Sequence, residues 1–322
     1  MKAYVYGANG AEIADVAKPA PKATQVLVRV RACGLNRADL GMTKGHAHGS
    51  AGGLGTVLGM EWAGEIAEVG PDAKGVKVGD KVMGSGAAAF AEYTLADHGR
   101  LFRAPSNMNF DEAATLPVAL ATMHNAVVTN GALQAGQSVL IQGASSGVGL
   151  MALQIAKLKG AKLVIGSSTN AERRGRLKEF GADLAVDSSD PGWVDQVLGA
   201  TGGEGVDLIV DQVSGPVASQ NLKATKIKGR IVNVGRLGGT HADFNFDLHA
   251  ARRITYVGVT FRTRTIDEIR EIFDEVRRDI WPAVESRKLQ LPIDKVFSFD
   301  DIGKAFEHME ANKHLGKIVV TL

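Results

Sequence analysis

A chain of 322 residues, 45% hydrophobic and 22% charged, can bury a large core and has the composition of a globular protein of about two domains. Its 37 basic and 35 acidic residues leave a formal charge of +2, which offers no electrostatic footing for nucleic acid or an anionic membrane. A single cysteine, Cys33, excludes an internal disulfide framework and a multi-cysteine zinc site; with no long apolar run and no signal-peptide pattern in MKAYVYGANGAEIADV, a cytoplasmic protein is expected.

The first third alternates apolar and polar residues with period two, in VLVRVRA from Val26, WAGEIAEVG from Trp62, GVKVGDKVMG from Gly75 and FAEYTLAD from Phe90. Separated by Gly, Pro and Asp, these stretches predict strands of a twisted antiparallel barrel with one face buried. From about Leu116 the rhythm changes. Apolar strands at Ser138 (SVLIQG), Ala161 (AKLVIGS), Val206 (VDLIVDQV), Gly229 (GRIVNVG) and Arg253 (RITYVGVT), with a weaker one at Leu184 (LAVD), alternate with helical stretches. They predict a parallel sheet covered on both faces, with RITYVGVT at an edge open to pairing with a second subunit. The charged segment from Thr265 to Lys288 carries apolar residues at helical spacing, and Pro282 is expected to kink or interrupt that helix. The final KIVVTL reads as a strand that returns to the first domain, because the parallel sheet is complete without it.

Gly143, Gly147 and Gly149 follow the strand VLIQ and precede the amphipathic LMALQIAKLKG. Glycines at such a turn let backbone approach a pyrophosphate, while the helix N-terminus supplies amide donors and partial positive charge; the hydroxyls of Ser145 and Ser146 add to it. Short-chain dehydrogenases share a GxxxGxG turn but require a tyrosine with a lysine four residues later, which none of Tyr4, Tyr6, Tyr93 and Tyr256 has. An acidic residue about 20 positions after the last glycine would hold the ribose of NAD, yet the count lands on Ser168, and no acid occurs between Ala161 and Ala171. Instead Ser167, Ser168 and Thr169 are followed by Arg173 and Arg174, whose guanidinium groups suit a phosphate dianion, so NADP(H) is the expected cofactor.

The stretches ACGLNRADL (32–40), VLGMEWAGEIAEVG (57–70), KVGDKV (77–82), AATLPVALATMHNAV (113–127), GASSGVG (143–149), GRIVNVG (229–235) and HLGKIVVTL (314–322) stand in order along the whole chain. In that order they resemble the medium-chain dehydrogenase/reductase superfamily, in its zinc-free quinone oxidoreductase, zeta-crystallin-like branch. The resemblance implies an α/β fold: a GroES-like β-barrel catalytic domain, 1–119 completed by 264–322, and a Rossmann doubly wound parallel sheet, 120–263, that binds NADP(H). It also implies a homodimer, and hydride transfer to a quinone or an α,β-unsaturated carbonyl. Zinc members of the superfamily carry a cysteine in the first stretch and a GHE histidine in the second, where this chain has Asn36 and Met60. An amide and a thioether are poor zinc ligands, the four-cysteine lobe is missing, and no metal is expected.

By the same resemblance Asn36 lines the site beside the nicotinamide, Thr122 faces it, and backbone at Val213, Ser214, Val234 and Gly235 cradles the ring and its ribose. Gly143, Ser145, Ser146, Gly147, Val148 and Gly149 take the pyrophosphate, and Ser167, Ser168 and Arg173 the 2′-phosphate. Asp39 and Glu61 hold family positions and are read as supports for the loop carrying Asn36; Cys33 is read as a packed hydrophobe. Relatives often carry tyrosines shortly after the asparagine, whereas LGMTKGHAHG has Gly41 and two histidines; either the substrate pocket or the proton donor therefore differs, and His46 and His48 are the candidates for the donor role. Two alternatives stand beside this reading: an enoyl-thioester reductase with Arg252, Arg253, Arg262 and Arg264 as a basic entrance, and a non-catalytic NADPH-binding protein.

Overall fold

The computed structural model describes residues 1–49 and 52–322. The chain divides into two units, Met1–Ala121 with Phe261–Leu322, and Thr122–Thr260.

In the first unit the ten-residue strand Gln25–Gly34 is the centre of a seven-stranded sheet. Its alternating Val26, Val28 and Val30 point into a core with Trp62, Phe90 and Ile318, while Arg29 stays outside. Along one side it pairs antiparallel with Glu61–Val69, and on the other first with Tyr93–Asp97 and then with Lys317–Thr321. The C-terminal strand therefore returns to this sheet, as expected of a strand for which the parallel sheet has no place. Strands Lys81–Ser85 and Leu101–Arg103 extend one side, and Ile293–Ser298 the other. A separate hairpin, Lys2–Gly7 with Gly10–Asp15, was not legible in the sequence pattern.

Two local expectations are corrected. The stretch GVKVGD is a turn and the strand begins only at Lys81: the Asp80 carboxylate accepts from the Lys77 amide at 3.0 Å, closing the backbone on itself, and Val78 is exposed. Pro282 does not interrupt its helix, which runs unbroken over Ile266–Glu285. The proline lies in the last turn, so only one intrahelical donor is lost. Twenty residues of amphipathic packing, with Ile269, Ile272, Phe273, Val276 and Ile280 buried, outweigh it.

In the second unit six parallel strands are ordered Leu184–Val186, Leu163–Ser167, Ser138–Gln142, Val206–Asp211, Thr225–Asn233 and Thr255–Gly258. Ser138–Gln142 is buried at every position, as a strand covered on both faces must be. Thr255–Gly258 is an edge strand, and Thr255, Tyr256 and Gly258 are exposed. Numbered by sequence within this sheet, the order is 3-2-1-4-5-6, the doubly wound arrangement whose chain direction switches between the first and fourth strands. Ligands of such sheets bind beyond the carboxyl ends of the strands at that switch.

Candidate functional site

The residues beyond the carboxyl ends of the two switch strands are the glycine turn, after Gln142, and Gln212 to Ser214, after Asp211. Gly143 has φ +70°, which favours glycine, and turns the chain from strand to helix. Ser146 caps the helix Gly147–Leu158 by accepting from the Gly149 amide at 3.1 Å, and also donates to the Gly143 carbonyl at 3.0 Å. A Cβ on Gly149 would lie 2.6 Å from the Gly143 carbonyl oxygen, so helix and turn approach as closely as backbone allows. This cradle fits a pyrophosphate.

The end of the next strand meets the same turn. The hydroxyls of Ser145 and Ser168 are 2.9 Å apart, the Ala144 amide donates to the Ser167 carbonyl at 2.8 Å, and Gly143 donates to Ser167 Oγ at 3.0 Å. Ser167 is fully buried and its hydroxyl is engaged, so it supports the turn from behind, whereas Ser145 is partly exposed. Arg173 is partly exposed in the short helix Ala171–Arg176, which Asn170 caps, and Val148 is partly exposed in the first turn of Gly147–Leu158. Arg174 is engaged by the Ser168 carbonyl at 2.8 Å and the Asp187 carboxylate at 2.9 Å.

The structure also brings Val213, Ser214, Val234 and Gly235 together. Asp211 Oδ1 accepts from the Val213 and Ser214 amides at 2.8 and 2.9 Å, and the Asp211 carbonyl accepts from the Val234 amide at 2.8 Å. Ser214 Oγ donates to the Gly235 carbonyl at 2.8 Å. Ser214 sits at φ +58°, a strained value for serine that these contacts hold. Gln212 bridges the two turns: its Oε1 accepts from Ser146 Oγ at 3.1 Å and its carbonyl from the Leu237 amide at 3.1 Å. Thr122 is the first residue of this unit, partly buried on the helix Pro117–His124.

In the first unit Asn36 stands at the carboxyl end of Gln25–Gly34, partly exposed. The strands on either side run antiparallel to it, so both begin beside its end, and their first residues are Glu61 and Lys317. Lys317 Nζ donates to Glu61 Oε2 at 2.5 Å and to Asn36 Oδ1 at 2.9 Å; Asn36 Nδ2 donates to Glu61 Oε2 at 3.0 Å and to the Gly34 carbonyl at 3.3 Å. An ammonium only donates and a carboxylate only accepts, so the Asn36 amide has one possible orientation. Both its hydrogens are engaged in the cluster. Glu61 Oε1 accepts from the Val118 amide at 2.7 Å, which completes its partners. Sequence reasoning missed Lys317; the signal was a charged residue opening the apolar run IVV.

Asp39 lies beneath this cluster, fully buried, with Oδ2 accepting from the Asn36 amide at 2.7 Å and Oδ1 without a hydrogen-bond partner. Burial pushes its carboxyl up to about 7, against the Asn36 amide and the Lys317 charge, which favour the anion. The folded chain thus keeps a proton that the unfolded chain has released above about pH 4. Stability from this group is full at low pH and falls as pH rises through 7. Between pH 5 and 8, urea unfolding of the native chain should lose about 2–3 kcal/mol relative to an Asp39→Asn variant, in which nothing titrates at this position. Parallel pH curves for the two chains would dismiss the buried proton.

His46 is exposed in the loop after the helix Arg37–Met42, and His48 is half-buried; Ser50 and Ala51 of that loop lie outside the described residues. Burial, then the Arg262 charge, lower the pKa of His48, which favours the neutral ring. Cys33 is fully buried and its thiol donates to the Ala89 carbonyl at 3.0 Å, a packed position. Among the described residues, no group of three or more His, Cys, Asp and Glu side chains is placed to hold a metal ion. Zinc does not fit at Asn36 and Glu61, whose facing oxygens already share an ammonium. None of the described helices is long and apolar enough to cross a membrane.

Residues 22–106 match the family model described as the alcohol dehydrogenase GroES-like domain, and residues 147–278 the one described as zinc-binding dehydrogenase. The quinone oxidoreductase of Homo sapiens is 28% identical over 311 residues, 96% of this chain and 92% of that protein. An alcohol dehydrogenase superfamily protein from Novosphingobium aromaticivorans has a similar structure, with TM-score 0.89 and 31% identity over 100% of this chain and 99% of that one. The CurK enoyl reductase does so with TM-score 0.87 and 26% identity, over 99% of each chain. Against a phenolphthiocerol/phthiocerol polyketide synthase of Mycobacterium tuberculosis the identity is 29%, over 96% of this chain but only 14% of that protein.

Proposed function

Because the chain belongs to the medium-chain dehydrogenase/reductase superfamily, in its quinone oxidoreductase-like branch, we propose that it is an NADPH-dependent, zinc-independent reductase of quinones or α,β-unsaturated carbonyls. At the coarser level it is an oxidoreductase of a superfamily that binds a nicotinamide cofactor. The observation that carries the finer reading is the strand end at Ser167 and Ser168, tied to the glycine turn by the Ser145–Ser168 contact, with no acid between Ala161 and Ala171 and with Arg173 beyond.

When bound, the cofactor supplies a hydride from the reduced nicotinamide. The chain's own part is binding and orientation: amides of the glycine turn and helix start, with the Ser145 hydroxyl, take the pyrophosphate, Ser168 and Arg173 the 2′-phosphate, and the Val213–Ser214 and Val234–Gly235 backbone the nicotinamide riboside. Asn36 and Thr122 are proposed to line the reacting end. His46 and His48 remain proton-donor candidates. The reading extends to a homodimer paired through the edge strand Thr255–Gly258, in the cytoplasm.

NADPH and NADH consumption with 1,4-benzoquinone, 9,10-phenanthrenequinone and a small enone, by metal-free protein, tests the proposal. An Arg173→Ala variant should lose about 10–100-fold in kcat/KM for NADPH, the worth of a charge-assisted contact, and keep its NADH value. An equal loss with both cofactors would remove Arg173 from the phosphate site. The likeness to the CurK enoyl reductase favours a second reading, an enoyl-thioester reductase, which turnover of an enoyl thioester but no quinone would select. NADPH binding without oxidation by any of these acceptors would select the non-catalytic alternative.

A further inference from the structure

Under the carboxyl ends of the parallel strands runs a chain of buried polar side chains that hydride transfer does not itself require. The Gly143 amide donates to Ser167 Oγ at 3.0 Å, Ser167 Oγ to Gln142 Oε1 at 2.6 Å, Gln142 Nε2 to Asn221 Oδ1 at 2.9 Å, and Asn221 Nδ2 to Asp211 Oδ2 at 3.1 Å. The other oxygen of Asp211 holds the Val213 and Ser214 amides. Ser167, Gln142, Asn221 and Asp211 are each 0% exposed. A backbone donor at one end and a carboxylate at the other give every link a single direction.

Four buried polar side chains, three at strand ends and Asn221 on the helix Ala218–Ala224, are costly unless each is hydrogen-bonded, and an apolar set would pack there more simply. What the chain adds is a fixed geometry, since it starts at the glycine turn and ends at the turn Val213–Ser214. A two-headed ligand gains from linked subsites only when their separation matches its own length, and pre-set subsites spare it the cost of ordering them.

We propose that Asn221 and Asp211 are positioning residues that hold the pyrophosphate turn and the nicotinamide-riboside turn at one separation, so that the two halves of a dinucleotide bind together. This rests on the nicotinamide-dinucleotide reading above, and holds for NADP(H) or NAD(H). Asn221 reaches both turns through its neighbours, and leucine in its place keeps the branched outline of the side chain while cutting the chain.

The test is calorimetric titration of native and Asn221→Leu protein with NADPH, NADH, 2′,5′-ADP, 5′-ADP and nicotinamide mononucleotide. The half-ligands should bind the variant within about twofold of native, while the preferred dinucleotide weakens by about tenfold. Unchanged dinucleotide affinity, or adenine halves that weaken in the same proportion as the dinucleotide, would overturn the proposal. Gln142→Met cuts the chain between Ser167 and Asn221 and leaves the Gly143–Ser167 bond of the pyrophosphate turn in place, and decides the matter by the same two criteria where Asn221→Leu does not fold. Native protein that binds neither NADPH nor NADH would instead overturn the cofactor reading, an outcome visible before any variant is made.

Discussion

Gly149→Val is expected to weaken dinucleotide binding by about 100-fold and to lower stability by about 3 kcal/mol. The first added carbon would meet the Gly143 carbonyl oxygen at 2.6 Å and the Ala144 Cα and carbonyl oxygen at 2.7 Å each. All three are backbone atoms of the turn, which cannot swing aside as a side chain would. Relief requires the helix Gly147–Leu158 to withdraw from its strand, which breaks the Ser146 cap on the Gly149 amide and moves the donors meant for phosphate. Gly175→Ala is the matched control, because a Cβ there meets nothing within 4 Å and the position is helical. It should be neutral or stabilising by about 0.5–1 kcal/mol. Calorimetric affinity and urea midpoints measure both; a valine chain with native values would refute the close approach.

Lys317→Met should cost about 3–5 kcal/mol of unfolding free energy. Glu61 is 0% exposed and Lys317 5%, so removal of the ammonium leaves a buried carboxylate with only the Asn36 amide and the Val118 amide as partners. The double variant Glu61→Gln with Lys317→Met should regain most of the loss, since a neutral amide needs no counter-charge and a buried ion pair adds little beyond an apolar pair. Urea unfolding of the two singles and the double forms a closed cycle. A single Lys317→Met variant that loses less than about 1 kcal/mol would show that the pair is hydrated.

Much of the second unit was readable because a strand buried on both faces is an unbroken apolar run. Even the three-residue strand Leu184–Val186 could be placed by its position between helices. The first unit was harder, since its strands bury one face only and period two also arises in turns. Val76 and Val78 alternate correctly for a strand, yet the Asp80 carboxylate binds the Lys77 amide and keeps that segment out of the sheet. Pro282 misled in the opposite sense: a local breaker was outvoted by the buried face of a long helix. Polar residues that end apolar strands, Gln142 and the pair Asp211–Gln212, were the visible trace of the buried chain, but nothing local told what each would meet.

Residue types and their order carried the two-part fold, the glycine turn, the absence of an acid between Ala161 and Ala171, and, through the family resemblance, the reading of Asn36 and Met60 in place of zinc ligands. All of these depend on residue type and short spacing. The partners, by contrast, come from the folded chain. Lys317 meets Glu61 across 256 residues and Asn36 across 281, because two antiparallel strands begin at one strand's end. Gln142 meets Asn221 across 79 residues, because the sheet order sets the first strand beside the fourth, whose following helix Ala218–Ala224 carries Asn221. Such pairings follow from strand order and register, which depend on the packing of the whole chain and leave no periodic mark in its sequence.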